Sequence, residues 1–564
     1  MQSTDVRAKP SSARPGNVVR FVLDDTEVAV RVIDPTRTVL QFLREDSGRT
    51  GTKEGCAEGD CGAWTVVIAE PVTQPNVGAN PARANHVGAN HAGAKHSADP
   101  RLCYRAVNAC IQFLPTLDGK ALITVESLKN RHNGALHPVQ QALADGLGSQ
   151  CGFCTPGFVM SLFALYKSAI APTRAEINDA LAGNLCRCTG YRPIVDAAGE
   201  MLRLGAAIPA DMQDYLSATA ASQSAAARTS ELALIAKVHA LRRPSGLMLR
   251  GTAGAFFAPR TTQQFAKLRE GYPDARILAG GTDVGLWVTK QHRRLPEILY
   301  IGNVAELKQI RIAAGQIAIG AAVTLSDAFA VLEKHYPSLR EMGRRFASPP
   351  IRNAGTLVGN IANGSPIGDA MPALISLGSR LVLRKAQTQR ELALEDLYLD
   401  YQQTALMPGE FVERVLIPLP KPDFLYATYK ISKRFDQDIS AVCVSFAVQL
   451  ADDTVHSLHS MRSVGAERSV RSVRIACGGV AAIPKRALAC EAVLTGRRWD
   501  PATCDDAALA LAQDYSPITD MRASASYRLR VVQNLLRKFY LETSGQLGTA
   551  PSRLYDFALT ELRP

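Results

Sequence analysis

Gln150-Cys-Gly-Phe-Cys-Thr-Pro-Gly157, followed by Gly183-Asn-Leu-Cys-Arg-Cys-Thr-Gly-Tyr191, sets four cysteines as a C-x2-C pair and a C-x-C pair. Between them, residues 156 to 168 put Phe158, Leu162, Leu165 and Tyr166 on one helix face, and Thr173 with Glu176 makes a capping box for the next helix. A helical hairpin therefore brings the two pairs together. Four thiolates gathered in this way hold either a [2Fe-2S] cluster or a structural zinc ion. Thr155-Pro156 opens a helix directly after Cys154, and the positive end of that helix suits an anionic cluster. The local reading is iron-sulfur at Cys151, Cys154, Cys186 and Cys188, with zinc as the alternative.

Upstream, Cys56-Ala-Glu-Gly-Asp-Cys61-Gly-Ala-Trp64 lies in a glycine-rich loop, with Cys110 further on. The plant-type ferredoxin spacing is C-x4-C-x2-C with a distant fourth cysteine, and Trp64 stands in the third position. An indole offers only an N–H donor and cannot replace a thiolate on iron. Cys56, Cys61 and Cys110 remain as candidate ligands, and Cys103 stands either as a substitute or as an ordinary half-buried thiol. Before this loop, Val19, Phe21, Leu23, Val28, Val30 and Val32 recur at strand spacing around Asp24-Asp25, which predicts a hairpin; a helix is expected over 39 to 45.

Of twelve cysteines in 564 residues, eight fall between Cys56 and Cys188, a clustering that points to metal or redox chemistry in a chain without an export signal. With 46% hydrophobic and 21% charged residues, the chain can build several domains with cores of their own. Its apolar runs, such as 441 to 450, are too short to span a bilayer, so a cytoplasmic location is expected. The net charge of +12 is spread along the chain with no basic arm of the kind that binds nucleic acid.

In the second half, Ile277, Leu278, Ala279, Gly280, Gly281, Thr282, Asp283 and Val284 follow one another at the end of a predicted strand, where small residues let backbone N–H groups approach a pyrophosphate. The loop is not the G-x-G-x-x-G fingerprint, and a tight turn reads equally well. Arg352-Asn-Ala-Gly-Thr-Leu-Val-Gly-Asn-Ile-Ala-Asn-Gly-Ser-Pro-Ile-Gly-Asp369 adds a second glycine-rich stretch. Strands such as 277–279 and 317–319 alternate with turns, and an amphipathic helix is expected from about Tyr527 to Leu541.

Taken together with Gly51-Thr-Lys-Glu-Gly-Cys56, these segments resemble the molybdenum hydroxylases, a family that includes xanthine dehydrogenases, aldehyde oxidoreductases and carbon monoxide dehydrogenases. Lys433-Arg-Phe-Asp-Gln-Asp-Ile439 and Cys477-Gly-Gly-Val-Ala-Ala-Ile-Pro-Lys-Arg486 extend the likeness, which covers roughly 18 to 545. The resemblance implies a multidomain α+β chain: a disordered arm 1–17, a β-grasp [2Fe-2S] ferredoxin domain 18–118 with a low-complexity insertion 71–100, and a helical [2Fe-2S] domain 119–205. A linker 206–243, an α/β FAD-binding domain 244–422, a C-terminal α+β flavoprotein domain 423–546 and a tail 547–564 follow. His86, His91 and His96 belong to the insertion, and the stretch 461–474, with its recurring Arg-Ser-Val, is expected as a second enlarged loop.

By the same resemblance, Gln150 would touch the pterin of a molybdenum cofactor held by a partner, and Phe346 would lie against the isoalloxazine. Thr356 and Asn360 would bind its phosphate and ribitol, Asp369 would hydrogen-bond the flavin side, and Lys430 would sit near its edge. No segment before Pro564 looks like a molybdenum-binding domain, so a larger partner chain is expected to carry it, in a heterotetramer. The likeness is to the small subunits of bacterial xanthine dehydrogenases. It implies an NAD-dependent oxidoreductase whose small chain passes electrons through [2Fe-2S] clusters and FAD to NAD, with no catalytic base of its own. The alternatives are an aldehyde or carbon monoxide type subunit, and a zinc scaffold.

Overall fold

A computed structural model describes residues 17–72, 100–129, 134–222, 224–421, 423–451 and 468–546. The expected arm up to residue 16, the core of the first insertion with its three histidines, residues 452–467 and the tail from 547 lie outside the described residues. The chain is a multidomain α+β protein. Its first sheet has five strands in the order β2-β1-β5-β3-β4, formed by Val18–Leu23, Thr26–Arg31, Thr65–Val72, Arg101–Asn108 and Ala121–Ile123 as β1 to β5. β1 and β2 close through Asp24 and Asp25, both at positive φ, a turn that short acidic residues tolerate. β1 pairs parallel with β5. One α-turn, Val39–Gln41, runs directly into a wider π-turn, Phe42–Asp46, in place of the regular helix expected there.

The helical region packs on this sheet. Helix Thr155–Ser168 buries Phe158, Leu162, Phe163 and Tyr166, and its neighbours are Pro138–Asp145, Arg174–Leu181 and Arg192–Ala206. Thr173 and Glu176 make the expected reciprocal cap. The segment expected as a linker holds a further helix, Ala225–Ala240, with Ala227, Leu234, Ile235 and Val238 buried. Its buried Glu231 takes Arg228 at 2.7 Å and the amide of Leu102 at 3.0 Å, which ties the helix to β4. A charge inside the buried face broke the apolar periodicity by which the helix would be recognised.

Beyond it, Leu247–Gly251, Gly254–Ala258, Arg276–Leu278 and Glu297–Tyr300 form β6 to β9, ordered β6-β7-β9-β8, with β7 and β8 both parallel to β9. A second sheet, antiparallel throughout, joins Ile310–Ala313, Gln316–Gly320, Phe411–Pro418, Arg380–Lys385 and Thr388–Ala393 in that order. The last sheet is formed by Phe424–Ile431, Val442–Leu450, Val470–Gly478 and Lys485–Arg486, and helices Pro501–Asp514 and Ala525–Thr543 pack on its core. Residues 470 to 474, expected in an enlarged loop, begin the strand Val470–Gly478 instead. A register shift at Gln449/Leu450 breaks the alternation there, so Val470 and Val473 are both buried across two exposed residues. Arg345, 2% exposed, binds the carbonyls of Lys430 and Phe435 and so locks the last sheet onto the preceding domain. No helix among the described residues is long and apolar enough to cross a membrane.

Candidate cofactor sites

The four helical cysteines come together as two thiol pairs. Cys154, held at the start of helix Thr155–Ser168, shares a hydrogen bond with Cys186, and Cys151 shares one with Cys188. Burial, and then the Cys186 thiol, pushes Cys154 up to about 12. Against the cost of burial, Thr189 holds Cys186 below the ordinary thiol range, with its hydroxyl 3.1 Å and its amide 3.4 Å from the sulfur. Tyr191, at φ 70°, turns its hydroxyl to accept from the Cys186 amide at 3.0 Å. Two pairs of thiolates are what a two-iron cluster uses, so this donor set fits a [2Fe-2S] group.

The upstream set differs. Cys56 and Cys61 share a hydrogen bond that draws Cys56 down to about 5 and pushes Cys61 up, and the Cys61 amide donates to Cys56 Sγ at 3.4 Å. Cys110 is 2% exposed, and burial raises its thiol. Trp64 is fully buried in the same apolar cluster as Cys110, with Cys56 and Cys61 packed against it. Its indole Nε1 has no hydrogen-bond partner. Cys103 is not a substitute: it pairs with Glu70 in the β3–β4 ladder, five residues from Asn108 at the end nearest the loop. That is roughly 17 Å of strand. Three thiols and an indole do not make the four-sulfur set.

The two cysteine regions abut. The Cys61 carbonyl accepts from the Leu185 amide at 3.1 Å, and Asn184 Nδ2 donates to the Gly62 carbonyl at 3.0 Å. Gly157 has to be glycine here, since a Cβ on it would lie 2.0 Å from the Gly62 carbonyl oxygen. On the other side, Thr289 Oγ1 donates to the Ala57 carbonyl at 2.7 Å, and Arg352 reaches Asp179 at 3.0 Å. The helical region also touches the second half directly, where Gly183 packs on Ser348 and Pro350.

The two glycine-rich stretches of the second half lie against each other. A Cβ on Gly280 would meet the Ala354 carbonyl oxygen at 2.0 Å, and one on Gly355 would meet Thr282 Oγ1 at 3.3 Å. Thr356 caps helix Leu357–Asn363, accepting from the Gly359 amide at 2.9 Å. Next to it the buried Asn360 Oδ1 has no hydrogen-bond partner. Ala279, Gly280 and Thr356 also border a cavity of about 1010 Å³ lined by Arg105, Lys120, Arg242, Arg260 and Lys308 among others. Such close backbone approach, an orphaned buried oxygen and cationic walls fit a dinucleotide. Phe346 is half-buried, its ring 5.7 Å from that of Phe329.

Asp369, which closes the second glycine-rich stretch, is bonded to Lys430. Lys430 Nζ lies 2.6 Å from Asp369 Oδ2, both side chains are nearly inaccessible, and Ser440 Oγ donates to Asp369 Oδ1 at 2.5 Å. Lys430 is thus a buried ion-pair partner. Asn303, Arg260 and Lys308 of the cavity wall escaped sequence reasoning, because they come from separate elements and share no motif.

Residues 251–420 match the family described as FAD binding domain in molybdopterin dehydrogenase, and residues 427–543 the CO dehydrogenase flavoprotein C-terminal domain. Residues 124–199, which include all four helical cysteines, match a [2Fe-2S] binding domain. The chain is 31% identical to a xanthine dehydrogenase of Emericella nidulans over 97% of its own length and 40% of that protein. It is 30% identical to xanthine dehydrogenase 1 of Arabidopsis thaliana over 92% of this chain and 39% of the relative. The chain thus spans about 40% of the length of the curated relatives it matches. A cyanide-inactivated Cu,Mo-CO dehydrogenase structure overlaps 50% of this chain and 94% of its own at 26% identity and a TM-score of 0.45. With segments matching [2Fe-2S]-binding, FAD-binding and flavoprotein domains of that group, the chain belongs to the molybdenum hydroxylase family.

Proposed function

We propose that this chain is the electron-transfer subunit of a xanthine dehydrogenase, carrying electrons from a molybdenum site on a larger partner chain to FAD and on to NAD while hypoxanthine and xanthine are oxidised to urate. The observation that carries the reading is the likeness to xanthine dehydrogenases along 97% of the chain, limited to about 40% of theirs. A [2Fe-2S] cluster takes one electron at a time, whereas FAD exchanges electron pairs with NAD as hydride.

Cys151, Cys154, Cys186 and Cys188 would hold a cluster. The loop from Ile277 to Val284, with Thr356 and Asn360, would bind the FAD phosphates and ribitol. Phe346 would face the ring, and the Asp369–Lys430 pair would border it. Gln150 would face the pterin of the partner's cofactor. The surface around it supports a partner there: Leu147, Phe153, Leu185 and Tyr191 are 77%, 46%, 48% and 39% exposed beside the cysteines. An apolar patch of this kind fits a protein interface.

The test is co-purification of the full chain with a molybdenum-containing partner and an assay of substrates with NAD. NADH formation from xanthine is expected. Activity on aldehydes or carbon monoxide with none on xanthine would replace this reading with the corresponding family member.

A further inference from the structure

We propose that the chain holds a single [2Fe-2S] cluster, in the helical region, and that the N-terminal five-stranded domain carries none. The inference rests on the reading of Cys151, Cys154, Cys186 and Cys188 as cluster ligands. Each iron of a [2Fe-2S] cluster needs two protein ligands beside the bridging sulfides. In the N-terminal loop the position that spacing assigns to a third cysteine holds Trp64, whose only polar atom is a proton donor. The indole is no surface accident. It is fully buried, with Val19, Phe21, Val66 and Phe113 in its cluster, and Cys110 is sealed into the same core. The bulk that a cluster and its fourth sulfur would need is given over to the largest of the apolar side chains.

The loop is also held by contacts that need no metal. Four of its carbonyls are taken by protein donors: Ala57 by Thr289, Gly59 by Asn108 at 2.7 Å, Cys61 by Leu185, and Gly62 by Asn184. The donors come from the helical region, from the FAD-binding region and from β4 itself, so neighbouring protein groups hold the loop in place. Cys103, the thiol nearest in sequence that could complete the set, faces the cavity between β4 and the second half, beside Arg105.

Iron, acid-labile sulfide and the low-temperature electron paramagnetic resonance spectrum of the dithionite-reduced full chain, made in a cell that assembles clusters, test this. About two irons per chain and one [2Fe-2S] signal are expected. Cys56→Ser should leave both unchanged, and Cys186→Ser should remove both. About four irons with two signals, one of them lost in Cys56→Ser, would overturn the proposal while leaving the helical site intact, and would show that another group such as Asp60 had become a ligand. A chain without iron would overturn both this and the helical assignment. The wild-type measurement needs no variant to fold.

Discussion

Exchange of Cys154 for serine is expected to empty the helical site of iron, with iron and sulfide falling at least about tenfold and the brown colour lost. The substitution is nearly isosteric, so the fold should survive and bound FAD should remain. Of the four candidate cysteines, Cys154 is the one at a helix start. It sits where helix Thr155–Ser168 begins, with Pro156 fixing the first turn, and its thiol already faces Cys186. A serine oxygen is a harder and far less acidic donor than a thiolate, so it leaves one iron short of a ligand. Circular dichroism should match wild type while the iron assay does not. Retention of wild-type iron would remove Cys154 from the ligand set.

Replacing Gly280 with valine is expected to release FAD while leaving the iron in place. The added Cβ alone would sit 2.0 Å from a backbone oxygen of Ala354, which no side-chain rotation can relieve. The two loops must separate, at a cost of about 1–3 kcal/mol, equivalent to a roughly five- to 150-fold weaker hold on the nucleotide. Alanine at Gly199, where a Cβ meets nothing within 4 Å, is the control and should retain both cofactors. Flavin absorbance after gel filtration reads the outcome. Full FAD occupancy in Gly280→Val would mean that the dinucleotide lies elsewhere.

Much of both sites was legible because their chemistry is local. Cysteine spacing, the Thr155-Pro156 helix start, the Thr173–Glu176 cap and the two glycine stretches are each written in a few consecutive residues, and the structure builds each of them. What escaped depends on distant partners. Arg345 and Arg352 look like solvated charges, yet they bind carbonyls and carboxylates across domain boundaries and are almost wholly buried. Helix Ala225–Ala240 was hidden because Glu231 occupies its buried face, stabilised by Arg228, which lies one turn before it. The place of Cys103 could be decided only by strand register, since a position along β4 fixes how far the thiol stands from the loop.

The proposed function requires a cysteine-held iron-sulfur group beside a flavin in one chain. Joint determination of iron, sulfide, zinc and FAD in the purified full-length protein tests it most directly. Brown protein with inorganic sulfide, bound FAD and no zinc is the predicted result; colourless protein with zinc at the cysteines and no flavin would contradict it.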